Sequence, residues 1–154
     1  MSVARGIEQR LIGLAKPLMR LHPRIYRATG GRIGGRLPGL PPLLVLDHVG
    51  AKSGIGRSSV VGYVPDGDDA IVVASQGGSP THPAWFHNLK ANPDARIQIG
   101  DEVRDVRARV AGAEERERLW PKVTAAYPGF QRYQEQTDRV IPIVVLDPRD
   151  ARAA

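Results

Sequence analysis

The chain contains no cysteine. That absence excludes disulfide staples, thiolate zinc sites, cysteine nucleophiles and iron–sulfur clusters, and it accords with a reducing cytoplasm. No apolar run reaches the ~20 residues needed to cross a bilayer, because Arg10, Lys16 and Arg20 interrupt the N-terminal apolar residues. A secretory signal pattern, an internal repeat and a low-complexity tract are all lacking. Histidine is sparse: His22, His48, His82 and His87. The last two are five positions apart, off any shared helical face, and no carboxylate cluster accompanies them, so no metal site is expected. No Gly-x-Ser-x-Gly elbow marks a serine nucleophile. The segment Val49 to Ser53 lacks the contiguous Gly-Lys-Ser of a P-loop, and Gly30 to Gly39 lacks the GxGxxG register of a dinucleotide fold.

What is present is a basic chain of single-domain size. Its 154 residues carry 22 Lys and Arg against 16 Asp and Glu, a formal charge of +6. Such a balance suits polyanionic partners: nucleic acid, acidic lipid or a phosphorylated cofactor. Nucleic acid is disfavoured, since neither a recognition helix nor an exposed aromatic ladder is discernible. From Ile7 to about Leu21, Ile7, Leu11, Leu14, Ala15, Leu18 and Met19 recur at helical spacing among Arg5, Arg10, Lys16 and Arg20, with Pro17 as a kink or a second start. This basic amphipathic helix reads as packing on protein or, alternatively, as lying on an anionic membrane. The division expected is a helical segment over 1–29, a mobile Gly/Pro-rich linker over 30–42, a main domain over 43–148 and a tail over 149–154.

The main domain reads as short strands joined by tight turns. Leu43 to His48, Ser58 to Val64, Ala70 to Ser75, Arg96 to Ile99, Val103 to Val110 and Ile141 to Leu146 have strand character. Ser59, Val61 and Tyr63 share one face of the second strand. Pro65 to Gly67 and Gly100-Asp101 are hairpin turns. A slip in alternation between Val103 and Val106 predicts a bulge near Arg104-Asp105. Helical patterns cover a short aromatic helix after Pro83, Glu114 to Ala126, which Pro121 is expected to split in two, and Gln131 to Thr137. The fold class expected is mainly β with peripheral helices (α+β): a small barrel of about six antiparallel strands.

Two loops carry the candidate chemistry. Ser75 to Pro93 joins a strand to an aromatic helix through Gly77-Gly78, where another molecule can approach the backbone closely. Lys52, Ser53 and Arg57 cluster in a glycine-bearing loop suited to phosphate or carboxylate. Each also reads as an ordinary connection. Trp85 and Phe86 could wall a planar ring or anchor their helix to the barrel. Tyr127, Phe130 and Tyr133, three apart, could be core or line a site.

The strings VGAKSGIGRSSVVGYV, VVASQGGSPTHPAWFHNLKANP and AYPGFQRYQEQTDRVIPIVVLDP, with the basic N-terminal helix, resemble the deazaflavin-dependent nitroreductase family. The resemblance runs in order from about Leu43 to Pro148. It implies a split β-barrel of the FMN-binding type and the cofactor coenzyme F-420, an 8-hydroxy-5-deazaflavin with a phosphodiester and a polyglutamate tail. FMN is the alternative cofactor. By similarity, Lys52, Ser53, Gly54, Arg57 and Ser58 would hold the phosphate and tail. Val73, Ala74, Ser75, Gln76 and Gly77 would line the ring, with Ala84, Trp85 and Asn88 completing the pocket. Tyr127, Phe130 and Tyr133 match positions around the electron acceptor. The sequence departs from the family pattern at Ala51, Gln76 and Phe130, where Arg, a basic residue and tyrosine are common.

The activity implied is hydride transfer from the reduced coenzyme to a quinone- or nitroaromatic-type acceptor, with Tyr133 as the group that orients or protonates the acceptor. The rival reading is a non-catalytic carrier of deazaflavin or FMN. The location implied is cytoplasmic, with peripheral contact on the inner membrane face through the N-terminal helix as a hypothesis. A homodimer follows from the habits of split-barrel relatives.

Overall fold

In a computed structural model, residues 19–149 are described. Of the helix expected from Ile7 to about Leu21, the part up to Leu18 lies outside them. Helix α1 covers 19–29. Six strands follow: β1 (Leu43–Val49), β2 (Gly56–Asp66), β3 (Asp69–Val73), β4 (Asp94–Ile99), β5 (Glu102–Val110) and β6 (Ile143–Pro148). Between β3 and β4 stand a 3-10 turn (Gln76–Gly78) and α2 (Ala84–Ala91); between β5 and β6 stand α3 (Ala113–Ala126) and α4 (Gly129–Glu135). The strands close into a barrel in the order β1-β2-β3-β6-β5-β4, every neighbouring pair antiparallel. Closure leaves no strand edge unpaired.

Alternation along each strand builds two layers of core. Leu44 and Leu46 of β1 point inward with Val72, Ile97, Val106 and Val144, and Val61 and Tyr63 of β2 pack against them as the pattern predicted. Trp85, Phe86 and Leu89 of α2 enter the same cluster, so this helix plugs the barrel interior. The outward residues meet helices instead. Ile71, Val73, Ile143 and Val145 are covered by Leu119 and Val123 of α3 and Phe130 of α4. Leu43 and Val45 are covered by Tyr26 of α1. Strands buried on both faces read as unbroken apolar runs, as Leu43 to Leu46 of β1 and Ile143 to Leu146 of β6 do.

Tyr26, only 1% exposed, fastens α1 to the barrel. Its hydroxyl donates to the Leu43 carbonyl at 3.0 Å and accepts from the Gly100 N–H at 2.9 Å. The 30–42 stretch is tied down as well: Gly31 N–H donates to Tyr26 O, Leu43 N–H to Gly35 O, and Tyr63 N–H to Pro42 O. Pro41 lies on Gly62, where a Cβ would come within 2.7 Å of the Pro41 ring.

Two expectations are corrected. The register of β4 against β5 runs without interruption from Ile99↔Glu102 to Asp94↔Arg107, so there is no bulge at Arg104-Asp105. Val103 breaks the pattern because it faces solvent, 55% exposed, next to the turn. Pro121 does not split its helix: α3 is continuous through it. The proline is exposed, so water can serve the carbonyl it orphans, while fully buried Leu119 and Val123 hold the helix down on either side.

Candidate functional site

A cleft of about 250 Å³ opens between the end of β3, the start of α2, helix α4 and the Leu40–Leu43 segment. That is just below the usual range of ligand sites, ~300–1,000 Å³. Eight expected residues line it together: Val73, Ser75, Gln76, Gly77, Trp85, Tyr127, Phe130 and Tyr133. Leu40, Pro41, Leu43, Val61, Gly62 and Pro83 complete the wall, and none of these six was anticipated as site-forming. Leu40, Pro41, Leu43, Val61 and Gly62 read as linker or strand, and Pro83, inside the candidate Ser75–Pro93 loop, reads as a helix start.

The loop after β3 turns on positive φ. Gly77 has φ 62° and Gly78 φ 82°, both glycine conformations, while Gln76 adopts φ 45° against its own preference. No atom lies within 4 Å of where a Gly77 Cβ would stand, so bare main chain faces open space beside the cleft. At Gly78 the opposite holds: a Cβ would meet the Tyr133 carbonyl at 3.0 Å. Arg139, which lies in the third family-like string but belongs to no expected site, underlies the loop. Its guanidinium donates to the carbonyls of Ala74 (3.1 Å), Ser75 (2.7 Å) and Ser79 (2.8 Å), and to Nδ1 of His82 (2.9 Å). Burial, then the Arg139 charge, push the His82 pKa below its ordinary value, so the ring stays a neutral acceptor. Ala74 itself is fully buried in the barrel core and reaches the site only through its backbone.

The aromatic wall is preset. Tyr127 meets Phe130 edge-to-face at 5.0 Å between centroids, and the Tyr127 and Tyr133 hydroxyls are 3.2 Å apart. The hydrogen bond with Tyr127, and then burial, raise the Tyr133 pKa, which keeps a neutral phenol able to donate.

The basic loop is separate from the cleft but joined to it by α2. Lys52, Ser53 and Gly54 are exposed between β1 and β2. Arg57 and Ser58 begin β2 and border a shallow basin shared with Arg27, Asp47 and Arg96; the Ser58 hydroxyl donates to Asp47. Ala84 stands exposed at the start of α2. One turn along, buried Asn88 accepts from the Ala51 N–H at 2.9 Å and donates to His48 Nδ1 at 3.0 Å, while His48 Nε2 pairs with the Ser59 hydroxyl. Asn88 thus holds the loop rather than opening into the cleft. Burial lowers the His48 pKa, consistent with a neutral ring accepting at Nδ1. Among the described residues no group of His, Asp and Glu is placed to hold a metal ion.

The closed barrel, a bare-backbone glycine loop and an aromatic wall form the architecture expected of a split-barrel deazaflavin-binding protein. The model of the F420H(2)-dependent quinone reductase family matches residues 18–148, and the chain belongs to that family. An F420H(2)-dependent quinone reductase of Mycobacterium tuberculosis (strain H37Rv) is 43% identical over 152 residues, covering 97% of this chain and all of that one. Among solved structures, an F420-H2 dependent reductase, FDR-A, is 41% identical with a TM-score of 0.64, over 69% of this chain and 94% of that one. A structure described as a domain-swapped dimer is 36% identical with a TM-score of 0.66, over 86% and 98%. The protein is therefore an oxidoreductase whose cofactor is coenzyme F-420.

Proposed function

We propose that the cleft seats the deazaflavin ring of coenzyme F-420 against Val73 to Gly77 and Trp85, with a quinone stacked between that ring and the tyrosine wall. The observation that carries this reading is the convergence of the glycine loop, Trp85 and Tyr127, Phe130 and Tyr133 on one cleft. The donor set fits the group: main chain uncovered by side chains at Gly77, an aromatic wall, and a basic loop tied to α2 through Asn88 for a polyanionic tail. When bound, the coenzyme supplies a hydride equivalent. The chain's residues position and enclose. Trp85 and Pro83 limit the ring's travel, Leu40 and Pro41 exclude water from the acceptor side, and Tyr133 donates its proton toward an acceptor oxygen while Tyr127 orients the hydroxyl. Lys52 and Arg57 attract the phosphate and tail without rigid pairing.

Parallel absorbance titrations with coenzyme F-420 and FMN, followed by menadione addition to the reduced coenzyme complex, test the reading. Saturable F-420 binding and oxidation on menadione are expected; binding without oxidation favours the carrier. In the same assay Tyr133→Phe should lower kcat about a hundredfold with ring affinity little changed.

Peripheral membrane contact by a cytoplasmic protein is part of the proposal, and the surface supports the contact. Met19, Leu21, Ile25, Ile33, Leu37 and Leu40 are exposed, interleaved with Arg20, Arg24, Arg32 and Arg36, and Leu40 borders the cleft. No described helix is long and apolar enough to cross a membrane. Because Tyr26 belongs to the core, substitution is a cleaner test than truncation. Arg20, Arg24 and Arg32 changed together to Glu should abolish binding to anionic vesicles, and unchanged binding would end this part of the proposal. A homodimer is proposed from the relative described as a domain-swapped dimer, and sedimentation at two concentrations reads it.

A further inference from the structure

Arg139 lies between α4 and β6, outside both elements, with its side chain half-buried. Its donors go to three backbone carbonyls and one neutral imidazole, and the acceptors bracket the turn Gln76–Gly78 on both sides: Ala74 and Ser75 before it, Ser79 and His82 after it. No carboxylate among the described residues forms an ion pair with Arg139. A half-buried guanidinium without a counter-ion is an unusual expense for a loop, because carbonyl dipoles do not neutralise its charge.

A second observation points the same way. The peptide units whose carbonyls Arg139 holds carry the N–H groups of Ser75 and Gln76, and neither N–H has a hydrogen-bond partner among the described residues. Ser75 is buried and both residues line the cleft. A cation on the carbonyl side of a peptide unit polarises it and strengthens its N–H as a donor. Two unpartnered, polarised donors at a cleft wall call for an acceptor-rich, electron-withdrawing ligand edge.

We infer that Arg139 is the positioning residue of the ring subsite: it clamps Ala74 to Ser79 in the ring-facing conformation, and its uncompensated charge favours the anionic form of the bound ring. This rests on the reading that the cleft seats the deazaflavin ring. The clamp would act on the ring half of the coenzyme and leave the phosphate and tail to Lys52 and Arg57.

The full-length protein, Arg139→Met and Arg139→Lys are titrated with two probes, oxidised coenzyme F-420 and its tail-free nucleoside, the ring with its ribityl chain alone. Arg139→Met should weaken the nucleoside about tenfold and move ionisation of the bound ring hydroxyl, followed by absorbance against pH, to higher pH. Arg139→Lys should restore the ionisation but not the affinity, since an ammonium cannot span the three carbonyls in one plane. Without any ligand, hydrogen exchange at the Gly78 and Ser79 amides, which donate to Ser75 O and Gln76 O, should quicken in Arg139→Met. Unchanged nucleoside affinity, or unchanged exchange in that loop, overturns the inference. Should the parent protein bind neither probe, the functional reading fails while the exchange measurement still decides the clamp. If Arg139→Met does not fold, Arg139→Lys with parental nucleoside affinity overturns the inference on its own.

Discussion

The two loops on either side of α2 are built to opposite specifications. Ala74 to Ser79 has three carbonyls taken by one guanidinium, two positive-φ glycines and α4 pressed against Gly78. Ala51 to Ile55 is exposed throughout, closed by its own Gly50 N–H to Ile55 O and Gly54 N–H to Gly50 O bonds, and tied to the body by Asn88. The difference matches the part of the coenzyme proposed for each. A rigid ring gains affinity from a seat whose ordering entropy is already spent, whereas a flexible polyanion needs only nearby positive charge.

The largest way to break the contrast is to disorder the rigid loop. Gly78→Val forces a side chain onto φ 82° and against the Tyr133 carbonyl, a strain of about 1–3 kcal/mol. Denaturant unfolding should show that loss, and titration should show weakened binding of both the ring nucleoside and the whole coenzyme. Releasing the other loop should do less. Asn88→Ala frees the Ala51 N–H and His48 Nδ1, costing about 1 kcal/mol. Affinity for the whole coenzyme should fall severalfold and that for the tail-free nucleoside stay level; equal losses would erase the distinction.

The smallest effect is on pH dependence. Burial lowers the folded pKa of His48, so below the ordinary histidine value the unfolded chain binds the proton first. The stabilisation is complete above about pH 6.5 and is lost as pH falls toward the lowered folded value. The denaturation midpoint should therefore drop on acidification through that window. His82, lowered in the same sense, contributes with the same sign, so the drop should shrink but not vanish in His48→Gln.

Much of the barrel was legible because its turns are local chemistry. Gly67 and Gly100 sit at φ 61° and 60° in the two hairpin turns, where composition placed them. The same local reasoning failed at Val103 and Pro121, because one surface valine imitates a register slip and packing at Leu119 and Val123 overrides a helix breaker. Five of the residues expected to line the ring and the aromatic triplet converge on one cleft because they occupy a few short segments around one barrel end. Arg139 was illegible for the converse reason. Its partners lie 57 to 65 positions away and are mostly carbonyls, which every residue possesses and no sequence pattern reveals.

Leu40 and Pro41 form a strap across β2, seated where Gly62 leaves no side chain, and they reach the cleft from before the barrel begins. On the proposed placement of acceptor and coenzyme, the compartment for the oxidant is framed partly by a tether outside the sheet, while the seat for the reductant is framed by the sheet's own return loops. Lineages can resize the first by editing that tether and leave the second alone, a division of labour through which one coenzyme scaffold can come to serve many acceptors.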